Sequence, residues 1–413
     1  MQSSSNLATP MSWPELETLA IPEPDRVNGP TNSQALLRLF GQPESNVRVT
    51  LYRDHHAWCP YCQKVWLWLE FKQIPYRIRK VTMRCYGSKE SWFLKKVPSG
   101  MLPALELDGQ LITESDEILL VLEQCFGPLG MPLQDSRALE LRQLERLLFR
   151  AWCIWLCTPG LGPAQQRQAC QQFQRIATRF EQALQGTDAP WLDPASPGSV
   201  DLIFVPYVER MNASLAYYKG YAMRREHPAI DRWFLALEAL ETYRGTQSDI
   251  HTHVHDLPPQ MGGCWFDDNP IAQEMAFKID LGDGLADDEA CWPKELADSP
   301  AMAGLALTRV LRHRKKLLAV NPLGPIDFDQ PLRCALTQLI QAKPCQPRRG
   351  SAVGLRYLRD RISVPRDMPL PAARRLRQAL EMTAAMDGPE QPLPLPHNNR
   401  FDQNPQPFRS TNE

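Results

Sequence analysis

Cys59-Pro60-Tyr61-Cys62 is the stretch of this sequence best equipped for chemistry. A cysteine attacks only as its thiolate. A Cys-x-x-Cys placed where a strand hands over to a helix sets its first sulfur beside unpaired backbone N–H groups and the positive end of the helix dipole, and both favour that anion. The sequence predicts such a junction. Val47-Arg48-Val49-Thr50-Leu51-Tyr52 alternates as a strand, and Gln63 to Phe71 is apolar and long enough for a buried helix. Pro60 suits the first helical turn, where its missing N–H costs nothing. The competing chemistry is half of a zinc site, but no second Cys-x-x-Cys completes it, so no metal is expected. His55 and His56 precede the motif and read as exposed loop histidines.

The elements that must position the motif follow in order. Tyr76 to Met83 alternates as a second strand, and a polar stretch then carries Lys89 and Trp92-Phe93. Leu102 to Leu107 and Gln110 to Thr113 flank Asp108-Gly109, a strong short-range hairpin signal. Ser115 is expected to cap a helix over 116–126, with Ile118, Leu119, Leu122 and Phe126 as its apolar stripe. The order β-α-β, loop, β-β-α is that of the thioredoxin fold.

Cys59-Pro60-Tyr61-Cys62 alone resembles glutaredoxins. The further pattern Lys89-x-x-Trp92-Phe93-x-x-Lys96-x-Pro98-x-Gly100-x-Leu102-Pro103-x-Leu105, then Asp108-Gly109-x-Leu111-x-x-Glu114-Ser115, resembles the N-terminal domain of glutathione transferases. The cysteine places the likeness in the omega-like branch. With the long N-terminal arm and the extra C-terminal region, it is most like the iota class of cyanobacteria and photosynthetic eukaryotes. The resemblance covers roughly 47–245. It implies glutathione as co-substrate and a cis peptide before Pro103 that leaves the Leu102 backbone free to pair with the cysteinyl portion. It further implies that Ser115 and the helix N–H groups take the γ-glutamyl carboxylate, Glu114 its ammonium, and Lys89 the glycyl carboxylate. Tyr61 is expected to pack beside the sulfur and close the site.

From Gly127-Pro128 onward the pattern is helical, with segments expected at 138–157, 163–185, 201–219 and 228–242. Asp201 matches the family's buried N-capping aspartate, although Gly198 stands where a Ser or Thr is usual. Trp152 and Trp155, with Tyr217 and Tyr218, are candidates for an electrophile pocket facing Cys59, with plain core packing as the alternative. Beyond Tyr243 the likeness ends. His251, His253 and His255 would share one face of an extended segment, which invites a metal reading, but no familiar ligand spacing is met and a polar joint is preferred. Residues 262–298 are strongly acidic and 309–377 strongly basic, with Arg312-His313-Arg314-Lys315-Lys316 as the densest patch. Opposed charges folding against each other account for this more simply than an anionic partner. Helices are expected at 299–319, 331–342 and 370–386.

The whole therefore reads as an arm (1–46) with a short helix at Ala35–Phe40, an α/β thioredoxin-like glutathione-binding domain (47–127) and an all-α domain (128–245). A mainly helical extension of unassigned fold (246–390) and a disordered tail (391–413) complete it. Among 413 residues the net charge of −1 gives no argument for nucleic acid or membrane partners, and 11 scattered cysteines suggest a reducing, cytoplasmic compartment. Neither a signal peptide nor a membrane span is expected. The function expected is glutathione-dependent thiol transfer through a Cys59–glutathione mixed disulfide. Cys62 is either a resolving thiol or a bystander, and dehydroascorbate reduction is a second activity implied by the resemblance. The rivals are a non-catalytic binder of glutathione conjugates and a scaffold acting through the extension.

Overall fold

The alternation at Val49–Asp54 and Tyr76–Val81 gives two central strands, and the rest of the N-terminal half is built on them. The computed structural model describes residues 7–282, 298–389 and 393–408. Its one sheet has five strands in the order β1-β3-β2-β4-β5: β1 (Leu37–Arg38), β2 (Val49–Asp54), β3 (Tyr76–Val81), β4 (Ala104–Leu107) and β5 (Gln110–Thr113). β2 runs parallel to β3 and antiparallel to β4, so Leu51 lies opposite both Ile78 and Leu105. Asp108 and Gly109 take φ of 51° and 84° between β4 and β5, the left-handed pair a two-residue hairpin demands. With α2 (Pro60–Phe71) as the crossover, α3 (Ser91–Lys96) before β4 and α4 (Ser115–Phe126) after β5, this is a thioredoxin-type domain.

The arm departs from expectation. Its helix is α1 (Trp13–Thr18), while Ala35–Phe40 is not helical; β1 pairs antiparallel with β3 at Leu37–Arg77 and Arg38–Tyr76. Strand geometry turns Arg38 inward, where its Nε meets Glu70 Oε1 of α2 at 2.9 Å with both side chains buried. Tyr76 Oη and Thr31 Oγ1 also donate to that carboxylate, at 2.6 and 2.7 Å.

Every regular element described after α4 is helical. α5 (Ser136–Cys157), α6 (Pro163–Gln185) and α7 (Ser199–Lys219) are followed by α8 (Met223–Glu226), α9 (Pro228–Glu238) and α10 (Glu241–Thr246). Then come α11 (Ile250–Asp256), α12 (Pro258–Met261) and α13 (Pro270–Asp280), and finally α14 (Pro300–Val320), α15 (Gly324–Gln341), α16 (Ala352–Arg359) and α17 (Leu370–Asp387). α15 begins earlier than its sequence signal because Pro331 lies inside it rather than at its start. No helix among the described residues is long and apolar enough to cross a membrane.

There are two main cores. One unites the sheet, α2 and the helices through Ile279; the other holds α14–α17 together with Leu16 of α1. Trp13 Nε1 donates to Asp329 Oδ1 at 2.7 Å, so the arm is a component of the extension. The basic patch on α14 is answered by this arm: Arg312 pairs with Glu23 and Arg314 with Glu17. The acidic segment proposed as its counterpart lies partly outside the described residues, at 283–297.

Asp201 anchors the start of α7. Its carboxylate accepts from Leu192 N (2.9 Å), Gly198 N (3.0 Å) and Trp233 Nε1 (2.9 Å). Gly198 is accounted for by contact: a Cβ there would stand 2.9 Å from Asp193 Oδ2. Burial pushes the Asp201 carboxyl up from 3.8 to about 6 against those donors. A raised carboxyl binds its proton more tightly folded than unfolded, so its contribution is complete below pH 3.8 and is lost as pH rises through about 6. Urea unfolding should therefore show wild type losing stability relative to Asp201→Asn across that window. Asp201→Ala, which orphans several buried donors, should cost about 2–4 kcal/mol at any pH.

Candidate active site

Cys59 is the N-cap of α2, with φ −60° and ψ 121°, and Pro60 is the first helical residue. The turn before it is held by Asp54 at the end of β2, whose Oδ2 accepts the Trp58 N–H at 2.6 Å. The Cys59 sulfur lies 4.0 Å from the Leu102 carbonyl oxygen, and the Leu102–Pro103 peptide is cis. Cys59 is 5% exposed and Cys62 only 1%. Burial, then the neighbouring Cys59 and Asp54, push the Cys62 thiol well above its usual range. The two sulfurs and an Asp54 oxygen all lie within 4.8 Å of one another, a set that in number and type suits a soft metal ion. Two cations bear on the same cluster, Lys89 beside both cysteines and Arg210 beside Cys59 and Asp54, and they oppose a further positive charge.

The rim carries the remaining predicted residues. Lys89 is half-buried, donates to the Thr82 carbonyl at 3.2 Å and is pulled below the ordinary lysine range by burial, with Cys62 and Cys59 opposing. Glu114, not Ser115, is the N-cap of α4, so Ser115 is its first helical residue. Glu114 takes φ 63° and ψ 116°, a region that costs a non-glycine residue about 1–3 kcal/mol and is held where the surroundings require it. Its side chain is exposed and Ser115 is buried beneath it. Asp116 in the same turn is neutralised by Lys64 of α2 and by Arg142 at 3.5 Å, which leaves the helix N-terminus able to take an anion.

Tyr61 stands 37% exposed at the mouth, edge-on to Tyr207 at 5.8 Å, and Tyr207 meets Phe149 at 5.3 Å. These are the aromatic neighbours of the motif. Trp152 and Trp155 are buried core residues, Trp152 donating to Ser214 Oγ at 3.0 Å and Trp155 packed between Phe173 and Tyr221. Tyr217 and Tyr218 are likewise engaged, with Asp280 and the Val254 carbonyl.

Three features escaped the sequence reading. The first is Arg210 of α7, whose Nη1 donates to Gln63 Oε1 (3.1 Å) and Pro206 O (2.5 Å) and whose Nη2 donates to the Trp58 carbonyl. The available signal was Glu209-Arg210 inside an otherwise apolar helix. The second is the histidine segment, which is helical, so His251 and His255 lie one turn apart with rings 4.6 Å from each other while His253 is turned away from them. His253 Nε2 bonds Glu209 Oε1 and His255 Nε2 bonds Asp280 Oδ1, each at 2.9 Å.

The third is the tail. Residues 393–408, expected to be disordered, cross the loop before α3. Arg400 N donates to the Cys85 carbonyl at 2.6 Å, its guanidinium pairs with Asp256 at 2.5 Å, and Gln403 O lies 3.1 Å from His56 Nε2. His56 is thus fully buried, not exposed, and stacks on Tyr86.

Residues 58–125 match the glutathione S-transferase N-terminal domain family. Among curated proteins, glutathione S-transferase DHAR3, chloroplastic, of Arabidopsis thaliana is 23% identical over 50% of this chain and 75% of its own length. Arabidopsis glutathione S-transferase L3 is 24% identical over 46% of this chain and 79% of its own. The crystal structure of Chlamydomonas reinhardtii dehydroascorbate reductase is 21% identical, covers 49% of this chain and 93% of that one, and superposes with a TM-score of 0.40. Over about half of its length the chain is thus similar, at 21–24% identity, to proteins named glutathione S-transferases and to a dehydroascorbate reductase.

The Arg400–Asp256 pair has both side chains 1% exposed, and removing one partner of such a pair costs about 3–5 kcal/mol. Arg400→Ala should lose that much in chemical unfolding and speed hydrogen exchange in the loop from Cys85 to Lys89. Unchanged exchange there would show that the tail does not hold the loop.

Proposed function

We propose that this protein is a glutathione-dependent thiol transferase, most like the iota class, that removes glutathione from mixed disulfides. The observation carrying the reading is the unequal placement of the two cysteines. Cys59 caps α2 beside the Leu102 carbonyl, whereas Cys62 lies in the first turn, buried and held as a thiol. The Cys59 thiolate attacks the glutathione sulfur of R–S–S–G, forming Cys59–S–S–G and expelling RS⁻, which takes up a proton. The thiolate of a second glutathione then attacks that same sulfur, giving glutathione disulfide and restoring the Cys59 thiolate. A thiol at Cys62 can donate a hydrogen bond to Cys59 without itself attacking, which favours the monothiol cycle.

Glutathione would lie along Leu102 with its cysteinyl sulfur at Cys59. Its γ-glutamyl carboxylate would meet Ser115 and the first-turn N–H groups of α4, its ammonium Glu114, and its glycyl carboxylate Lys89. The strained backbone at Glu114 supports that assignment, because a non-glycine residue with an exposed side chain is held in that conformation at the helix start. Dehydroascorbate reduction, the activity named for several relatives, draws on the same thiolate and two glutathiones and is proposed as a second activity. Both reactions suit a reducing cytoplasmic compartment.

Reduction of hydroxyethyl disulfide by glutathione should be abolished in Cys59→Ser and largely kept in Cys62→Ser. A wild type as inactive as Cys59→Ser, yet retained on glutathione resin, would establish a binding module instead. A Cys62→Ser enzyme that stalls as the Cys59–glutathione adduct would establish the dithiol route.

A further inference from the structure

Arg210 reaches from α7 to the underside of the cysteine motif. Its three hydrogen bonds go to Trp58 O, Gln63 Oε1 and Pro206 O, and its guanidinium lies 4.6 Å from the centroid of the Trp58 ring. Every one of these partners is neutral. Its Nε is buried without a partner, and among the described residues no carboxylate forms an ion pair with it. The adjacent Glu209 is already engaged by Gln63 Nε2, the Ser248 N–H and His253. Glu209 is the first carboxylate whose charge bears on the guanidinium, but its oxygens are shared among those three donors and none bonds the arginine, so a further anion forming next to this buried cation is favoured. The acceptors locate that anion: Trp58 directly precedes Cys59, and Gln63 directly follows Cys62.

We propose that Arg210 is a positioning residue that supplies the countercharge for the thiolate of Cys59, so that a residue of the helical half arms the nucleophile of the thioredoxin-type half. This rests on the reading of Cys59 as the attacking sulfur. The groups facing Cys59 are Asp54 from β2, Tyr61 and Cys62 from α2, Lys89 from the loop before α3, and Arg210 from α7. With Cys59 ionised and Cys62 protonated, two anions (Asp54, Cys59) stand against two cations (Lys89, Arg210). Without Arg210, the carboxylate and the thiolate share one half-buried lysine. The benefit falls on the resting thiolate and on its re-formation, when the second glutathione takes the sulfur and the electron pair returns to Cys59.

Alkylation of Cys59 by iodoacetamide, followed by mass spectrometry of its peptide in a Cys62→Ser background, reads the thiolate directly. Near neutral pH, Arg210→Gln should slow it about tenfold, the equivalent of one pH unit, with the rate recovering in alkali. Arg210→Lys, which keeps the charge, should retain most of the rate. Equal rates in all three proteins would overturn the proposal. Should Arg210→Gln not fold, wild type labelled with ¹⁵N-arginine carries the test. Blocking Cys59 with methyl methanethiosulfonate should move the Arg210 side-chain resonance, and an unmoved resonance would overturn the proposal. Neither readout needs glutathione turnover, so Arg210-dependent alkylation in a protein inactive on hydroxyethyl disulfide would count against the thiol-transferase reading alone.

Discussion

A buried positive charge beneath the cysteine turn sets the terms for the rest of the molecule. Taking the Arg210 guanidinium out of water costs several kcal/mol. Against this stand three bonds from a charged donor, each contributing about 1.5–3 kcal/mol, and a desolvated cation–ring contact of about 2 kcal/mol. The two sides are close enough that no acceptor can be lost without consequence. Those acceptors belong to the turn before α2, to α2 itself and to α7, so the balance holds only when the sheet domain and the helices are in register. Glu209 extends the same arrangement to α11 through His253 and to the Ser248 N–H, and Ser248 Oγ in turn donates to the Val364 carbonyl of the extension. One polar seam thus joins three parts of the chain behind the motif.

The extension is bound by different means. Its surface ion pairs are half-exposed, as with Arg312 and Glu23, and pairs of that kind contribute at most about 1 kcal/mol. The apolar contacts of Leu16 and Met11 with α14–α17, and the Trp13–Asp329 bond, carry more of the attachment. At the other end Arg400 is enclosed between Asp256 and the loop from Cys85, which makes residues near the end of the chain part of the floor behind His56. Arm and tail therefore close around the two halves from opposite ends of the sequence, and the loop leading to Lys89 is held from outside the domain that contains it.

What could be read from the sequence was what local rules govern. The Asp108-Gly109 turn, the strand-to-helix placement of Cys59 and the long apolar stripe of α5 each depend on neighbours a few residues away, and each lies where the pattern puts it. The misreadings share the opposite cause. Leu37–Arg38 looks helical until β3 offers its edge and Glu70 offers Arg38 a partner 32 residues away. His251, His253 and His255 look like one face until the capping of α11 by Asp249 imposes a helical period. Arg210 bonds a carbonyl 152 residues distant, and nothing in the composition of α7 says which way a charged side chain in an apolar helix will turn. Residues 393–408 have the composition of a disordered segment and are held by partners far off in sequence: Asp256 for Arg400, Arg361 for Asp402 and Arg366 for Gln403.

The division of labour within Cys59-Pro60-Tyr61-Cys62 follows from charge rather than from either cysteine alone. Asp54 lies within reach of both sulfurs, so ionising both thiols would set three anions against two cations in a region largely closed to water. Only one thiolate is affordable, and position decides which. Cys59 holds the N-cap, where the unpaired amides of α2 and the guanidinium converge, while Cys62 is enclosed inside the first turn, where burial disfavours its thiolate. On the proposed reading, the buried Cys62 thiol is a hydrogen-bond donor to the Cys59 thiolate and stabilises the nucleophile rather than competing with it. The motif keeps two cysteines, but its surroundings admit one reactive sulfur at a time.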